Sequence, residues 1–282
     1  MKKPLKITLI SLLIFLLLVG AGLTIYYFCR PKGQTRGDID IDPADNTYNN
    51  DTSKNIADCS PTESLFILAA NLQNLDYYAT LSGEVDAGGF YKQNVSGEKY
   101  KTGKDSLYVS RSTSLFKNTA DQIFISGNAV LVRKGNPNTN VYEDTVTEYS
   151  LSAYLDEYGT DYRELSNYIL KDATITSSEK VSSENGIYTY RYEIDITTGV
   201  DNYRVNMAKM GDLSEMPTFA KSTLEVAMTE NFMPVTIMQI DEYSVNMLFT
   251  LKCKSTLVET FEKINDSTIV IPEYEFFKAR LA

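Results

Sequence analysis

"SPTESLFILAANLQNLDYYATLSGEVDA", Ser60 to Ala87, places a capped helix and a two-faced strand almost end to end. Ser60 suits an N-cap, Pro61 the first helical position, and Glu63 stands where a capping box needs its carboxylate. Leu65, Leu68, Ala69, Leu72 and Leu75 follow at helical spacing, so the helix is expected to end near Leu75. From Tyr77 the period drops to two. Tyr77, Ala79, Leu81, Gly83, Val85 and Ala87 alternate with Tyr78, Thr80, Ser82, Glu84 and Asp86, which reads as a long strand with one buried face.

Downstream the chain repeats that strand signal. "FYKQNVSGEKYK", "SLYVSRS", "DQIFIS" and "AVLVRK" are separated by short turns, including "SGN" at Ser126 to Asn128. A helical interlude is expected next, with Ser150 capping "LSAYLDEY" and Thr160 capping "DYRELSNYIL". Strands return in "ATITSSEKVSS" and "IYTYRYEID", joined through "ENG". A short helix at "NYRVNMAKM" precedes "TFAKSTLEVAMTE", "MPVTIMQIDEYSV" and "MLFTLKCKSTLVE". Neighbouring strands joined by short turns form antiparallel sheets. With helices few and inserted in blocks, the expected fold is α+β: one large curved antiparallel sheet with helices on its concave face.

The chain of 282 residues has no histidine and no tryptophan, but 20 tyrosines. Without histidine it lacks the commonest general base near neutral pH and the commonest transition-metal ligand. Ser-His-Asp and Cys-His catalysis are thereby excluded within the chain. The expectation is a binding protein and not an enzyme, with no cofactor and no metal. Residues 1–36 carry six basic and no acidic residues, which leaves 21 basic against 37 acidic residues beyond them. Such a domain repels nucleic acid, so no nucleic-acid partner is expected.

Ile7 to Phe28 is an uncharged run of 22 residues, long enough for a helix to cross a bilayer. Lys2, Lys3 and Lys6 precede it, and Tyr26, Tyr27 and Phe28 supply an interfacial belt. The expected organisation is a cytoplasmic tail over 1–6, a transmembrane signal anchor over 7–28, a disordered acidic tether over 29–59 and an extracytoplasmic domain over 60–282. The expected location is therefore the cell membrane, single-pass, with the domain outside. Cleavage of a signal peptide at Gly20-Ala21-Gly22 is an alternative. Lipidation at Cys29 is another, opposed by the bulky residues before it. Cys59 and Cys253 can pair in an oxidising compartment or stay as two thiols. Within the tether, "GDIDIDPADN" spaces Asp38, Asp40 and Asp42 like calcium ligands. Counting from Asp38, however, Pro43 and Asn49 stand where a calcium loop needs glycine and glutamate, so the stretch reads as a spacer.

"LAANLQNLDYYATLSGEV" resembles the opening helix and first long strand of the LolA-like lipoprotein carrier superfamily, in particular its LppX/LprG-like lipid-binding lipoproteins. "YRYEIDITTGVDNYRVNMAKM", followed by "TLEVAMTENFMPVTIMQIDEYSV", resembles their strand, crossing helix and paired return strands. The resemblance covers roughly Ser60 to Glu262 as architecture. It implies an incomplete antiparallel barrel around helices, enclosing an apolar cavity for acyl chains. It also implies envelope lipid or lipoprotein handling, or the sensing of envelope stress through a protein partner. A lipobox is missing, so this chain would act beside the membrane through its anchor.

On that resemblance, Leu81, Val85, Leu224, Val226, Phe249 and Leu251 are the candidate lining of a cavity holding a lipid or acylated ligand. Close packing of the same residues in a core is the alternative. Seven methionines between Met207 and Met247 suit a pliable apolar pocket. Glu143, Asp144, Glu148, Asp156, Glu157, Asp161 and Glu164, mixed with tyrosines, suit either a solvated helix face or a sugar site built on paired carboxylates.

Overall fold

The computed structural model describes residues 46–89, 91–114, 118–211, 213, 215–246 and 250–281. The expected anchor at 7–28 and the calcium-like stretch at 37–42 lie outside these residues. Among the described residues no helix is long and apolar enough to cross a membrane.

Helix α1 spans Pro61–Asn74, with the Ser60 hydroxyl accepting from the Glu63 amide and Leu75 closing the helix. Its positions from Ser64 to Ala70, and Leu72, are all buried, which suits a helix apolar on nearly every side. Strands β1 (Tyr77–Ala87), β2 (Tyr91–Thr102), β3 (Asp105–Ser114), β4 (Thr119–Ser126) and β5 (Ala129–Asn136) follow as a meander, with short β6 (Val141–Tyr142) and β7 (Thr147–Ser150) on β5. After α2 (Leu151–Tyr158) and a long irregular segment come β8 (Ile175–Glu184), β9 (Ile187–Ile194), α3 (Asp201–Met210), β10 (Thr218–Thr229), β11 (Pro234–Asn246), β12 (Thr250–Ile264) and α4 (Tyr274–Lys278). The turn expected at "ENG" joins β8 to β9, with Asn185 and Gly186 both at positive φ (53 and 75), as type I′ hairpins require.

All 12 strands form one antiparallel sheet in the order β6-β5-β4-β3-β2-β1-β12-β11-β10-β9-β8, with β7 beside β5. The β1–β12 pairing joins the two meanders at its centre, running from Tyr77 opposite Ile264 to Ala87 opposite Cys253. The sheet is open, and β8 forms one of its edges.

Three helices share one face of the sheet, here called the inner face. On it α1 packs with Tyr190, Tyr192, Leu224, Val226 and Ile237. Tyr154 and Tyr158 of α2 pack with Tyr108, Ile123, Ile125, Val130 and Val132. Helix α3 contributes to both clusters through Tyr203, Met207 and Met210. The outer face is also covered where β3, β4 and β5 lie, which the alternation did not anticipate. Leu107, Val109, Phe124 and Leu131 face away from α1 and are sealed by Ile271 and Phe277 of the C-terminal segment, with Phe277 stacked on Phe124 at 4.9 Å. Arg133 ties that segment down from the outer face, reaching Glu273 at 2.8 Å and lying 4.0 Å from the Phe276 ring.

Two further expectations are corrected. The helix expected over Asp161 to Leu170 does not form. Its backbone groups find distant partners instead: the Ile169 amide donates to Gly199 and the Leu170 amide to the Asn46 side chain. Gly159, at φ +70, ends α2 in the left-handed region and turns the chain out of the helix. The expected tether also ends earlier than Cys59. The Thr47 amide donates to Leu170, the Asn49 amide to Phe66, and Ile56 is 1% exposed within the α1 cluster. One apolar residue among polar neighbours gave little signal for this. Cys59 and Cys253 are both free thiols, and burial pushes that of Cys253 up to about 11.

Candidate functional site

The register of the strands determines which side chains meet under α1, α2 and α3. On β1 the inner residues are Tyr77, Ala79, Leu81, Gly83, Val85 and Ala87, as the alternation predicts. Their partners across the ladder are Lys101, Lys99, Gly97, Val95, Gln93 and Tyr91 on β2. On the other side they meet Glu259, Leu257, Ser255 and Cys253 of β12. Further across, Gln239 and Asp241 of β11 stand inward beside Leu224 and Ser222 of β10. The centre of the inner face is therefore polar, while its two flanks are apolar.

Two buried groups define this polar band. Lys99, opposite Ala79, reaches across β1 and donates to Glu259, opposite Leu81, at 2.6 Å, with side chains 10% and 8% exposed. Burial pushes the Glu259 carboxyl up, and Lys99 draws it back down. The second group centres on Asp241, 1% exposed. Its Oδ1 accepts from the Tyr168 hydroxyl and the Ser222 hydroxyl, each at 2.7 Å, while among the described residues its Oδ2 meets only Ser255, at 3.5 Å. Burial raises this carboxyl to about 6 although the three hydroxyls oppose the rise.

Tyrosines roof the band. Tyr162 stacks on Tyr108 at 4.0 Å and accepts from Asn206 of α3 at 3.1 Å. Tyr168 packs edge-on against Tyr203, whose hydroxyl lies beside Ser255. The irregular segment after α2 and helix α3 thus form a cover held to the sheet by hydroxyl groups. Burial keeps these tyrosines neutral, raising Tyr108 to about 12 and Tyr168 well above its ordinary value.

Asp241 lies opposite Ser255 and Glu259 opposite Ile237, so the two carboxylates sit four residues apart along the sheet. That places their backbones about 13 Å apart or more, and each carboxyl is engaged by its own partners, Lys99 for Glu259 and Tyr168 and Ser222 for Asp241. The acidic residues of the Glu143 to Glu164 stretch also turn to separate partners. Asp161 binds Arg163, Glu157 binds Lys209, and Glu164 accepts from Tyr48 at 2.5 Å. Among the described residues no three His, Cys, Asp or Glu side chains are grouped as metal ligands.

The six candidate lining residues do not form one set. Leu224 and Val226 are 0% exposed, so they adjoin no space a water molecule could enter. Val85 and Leu251 pack against the same α1 cluster from partly buried positions. Leu81 belongs to the α2 cluster, and Phe249 lies outside the described residues. Two surface depressions, of ≈ 710 Å³ at Ile269–Phe276 and ≈ 790 Å³ at Gly135–Glu143, involve none of the six. The residues that sequence reasoning missed are Lys99, Glu259, Asp241 and Tyr168. One signal was present: Gln93, Lys99 and Lys101 share a strand face with the partners of an apolar stripe.

No family model matches the chain, and no match to it was found among curated proteins. A solved structure of MucB in complex with MucA(peri) aligns with 72% of this chain and 94% of its own length, at 6% identity and a TM-score of 0.12. A likeness that low carries no argument about fold or partner.

Proposed function

We propose that this chain is a membrane-anchored extracytoplasmic interaction domain of LolA-like architecture, which senses or binds an envelope protein and keeps its own interior filled. The observation that carries the reading is the polar band. An acyl chain lying along the inner face would cover the Lys99–Glu259 pair and Asp241 with hydrocarbon, and buried charges tolerate that poorly. The uncharged run at 7–28 supports the anchor, and the acidic composition beyond it supports a partner other than nucleic acid.

A second reading keeps a lipid or acylated ligand as cargo for envelope lipid or lipoprotein handling. It is favoured by the convergence of Val85, Leu224, Val226 and Leu251 on one apolar cluster that also holds α1. Native mass spectrometry of the full chain released from detergent separates the two. A stoichiometric envelope protein retained on lipid-free chain supports the interaction domain. Stoichiometric lipid retained through release overturns it in favour of the second reading.

A further inference from the structure

Asp241 joins four parts of the fold through one carboxyl group. It sits on β11, takes hydroxyl bonds from Ser222 of β10 and from Tyr168 of the cover, and touches Ser255 of β12. The two oxygens are served unequally. Oδ1 has two bonds at 2.7 Å, while Oδ2 has one contact at 3.5 Å. With no cation beside it, the ionised carboxylate is costly to bury here, whereas the neutral acid avoids that cost and can turn its Oδ2 proton toward the Ser255 hydroxyl. The groups facing Asp241 are all neutral: Tyr168 from the cover, Tyr203 from α3, Ser222 from β10, Gln239 and Tyr243 from β11, and Ser255 from β12. Among the described residues no lysine, arginine or second carboxylate is in that shell.

We propose that Asp241 is a protonation-controlled clasp, which holds the cover over residues 159–170 to the sheet when protonated and releases it when ionised. The proton comes from solvent and returns there, and no other bond changes. The cover opens because water reaches the carboxylate only when Tyr168 lifts away. This device deepens the sensing role, although it acts whichever partner the domain engages. In a chain without histidine, such a carboxyl is a rare means of responding between pH 5 and 7.

The sign follows from burial. The closed form holds the proton up to about 6, against 3.8 for the ordinary carboxyl. Closure is therefore favoured in acid and weakens as pH rises through that interval. Linkage between those two values gives about tenfold more opening at about pH 7.5 than at about pH 5. Hydrogen exchange of the full chain in detergent micelles, corrected for intrinsic rates, reads this in peptides covering 159–170. The expected result is that rise in the wild type and none in Asp241→Asn. Equal opening of the wild type at both pH values, or a persistent response in Asp241→Asn, overturns the proposal. Should Asp241→Asn fail to fold, Tyr168→Phe carries the test. Removing a donor to the carboxylate must move the midpoint of opening to higher pH, and an unmoved midpoint overturns the clasp.

Discussion

Removing one partner of the Lys99–Glu259 pair and removing both should have very different effects. At 2.6 Å, with an effective dielectric of about 20, the attraction is roughly 6 kcal/mol. Desolvating two ions costs several kcal/mol each, so the pair is expected to come out near zero against an apolar replacement. The raised Glu259 carboxyl agrees, since burial outweighs Lys99 in setting it. Glu259→Leu alone leaves Lys99 charged beneath the cover and should destabilise by about 3–5 kcal/mol. Lys99→Met alone should cost a similar amount. The double variant should lie within about 1–2 kcal/mol of the wild type, and could exceed it in stability. Thermal unfolding of the four proteins at pH 7 and low salt completes the cycle, with tyrosine fluorescence as the probe. Additive losses, with the double variant worse than either single one, would refute the reasoning, because they would mean that the two charges do not depend on each other.

Other substitutions probe the packing around this pair. Val226→Ala removes two methyl groups from a position without solvent contact and should cost about 1.5–3 kcal/mol in thermal unfolding; a loss under about 0.5 kcal/mol would indicate a loosely filled interior. Phe277→Ala takes away the ring stacked on Phe124 and should cost about 3–5 kcal/mol, with protease cuts appearing beyond residue 265. Unchanged protease resistance would show that the C-terminal segment is held by other contacts. Ser60→Ala removes the α1 cap and should lower stability by about 0.5–2 kcal/mol without altering the circular dichroism spectrum.

The helix-to-strand junction at Ser60 to Ala87 was readable because each signal there is local. A cap, an apolar stripe and a change of period need no knowledge of the rest of the chain. The polar centre of the sheet was not readable, for a physical reason seen in β11. Its inward residues are Ile237, Gln239, Asp241 and Tyr243, and its other side carries the half-buried Met238 and Ile240. Judged by hydropathy, the wrong face would be turned inward. Asp241 is tolerated there because Ser222 and Tyr168, 19 and 73 positions away, meet it with hydroxyls. The segment Asp161 to Leu170 failed in the same way. Its helical stripe is real, but Asn46 and Gly199 draw its backbone groups outward. Local pattern gives the period of an element, and long-range partners decide whether the element forms.

The central β1–β12 pairing has a consequence for biosynthesis. Tyr77 meets Ile264 across 187 positions of chain, so at ribosomal speeds of about 5–20 residues per second the first strand waits roughly 10–40 s for its neighbour. During that wait β1 presents an open ladder edge, and Lys99 has no counter-charge until Glu259 arrives opposite Leu81. The early meander is thus a nascent intermediate with a sticky border. A holding chaperone would find its substrate there, and the yield of mature protein would be set by how quickly the last strand is delivered.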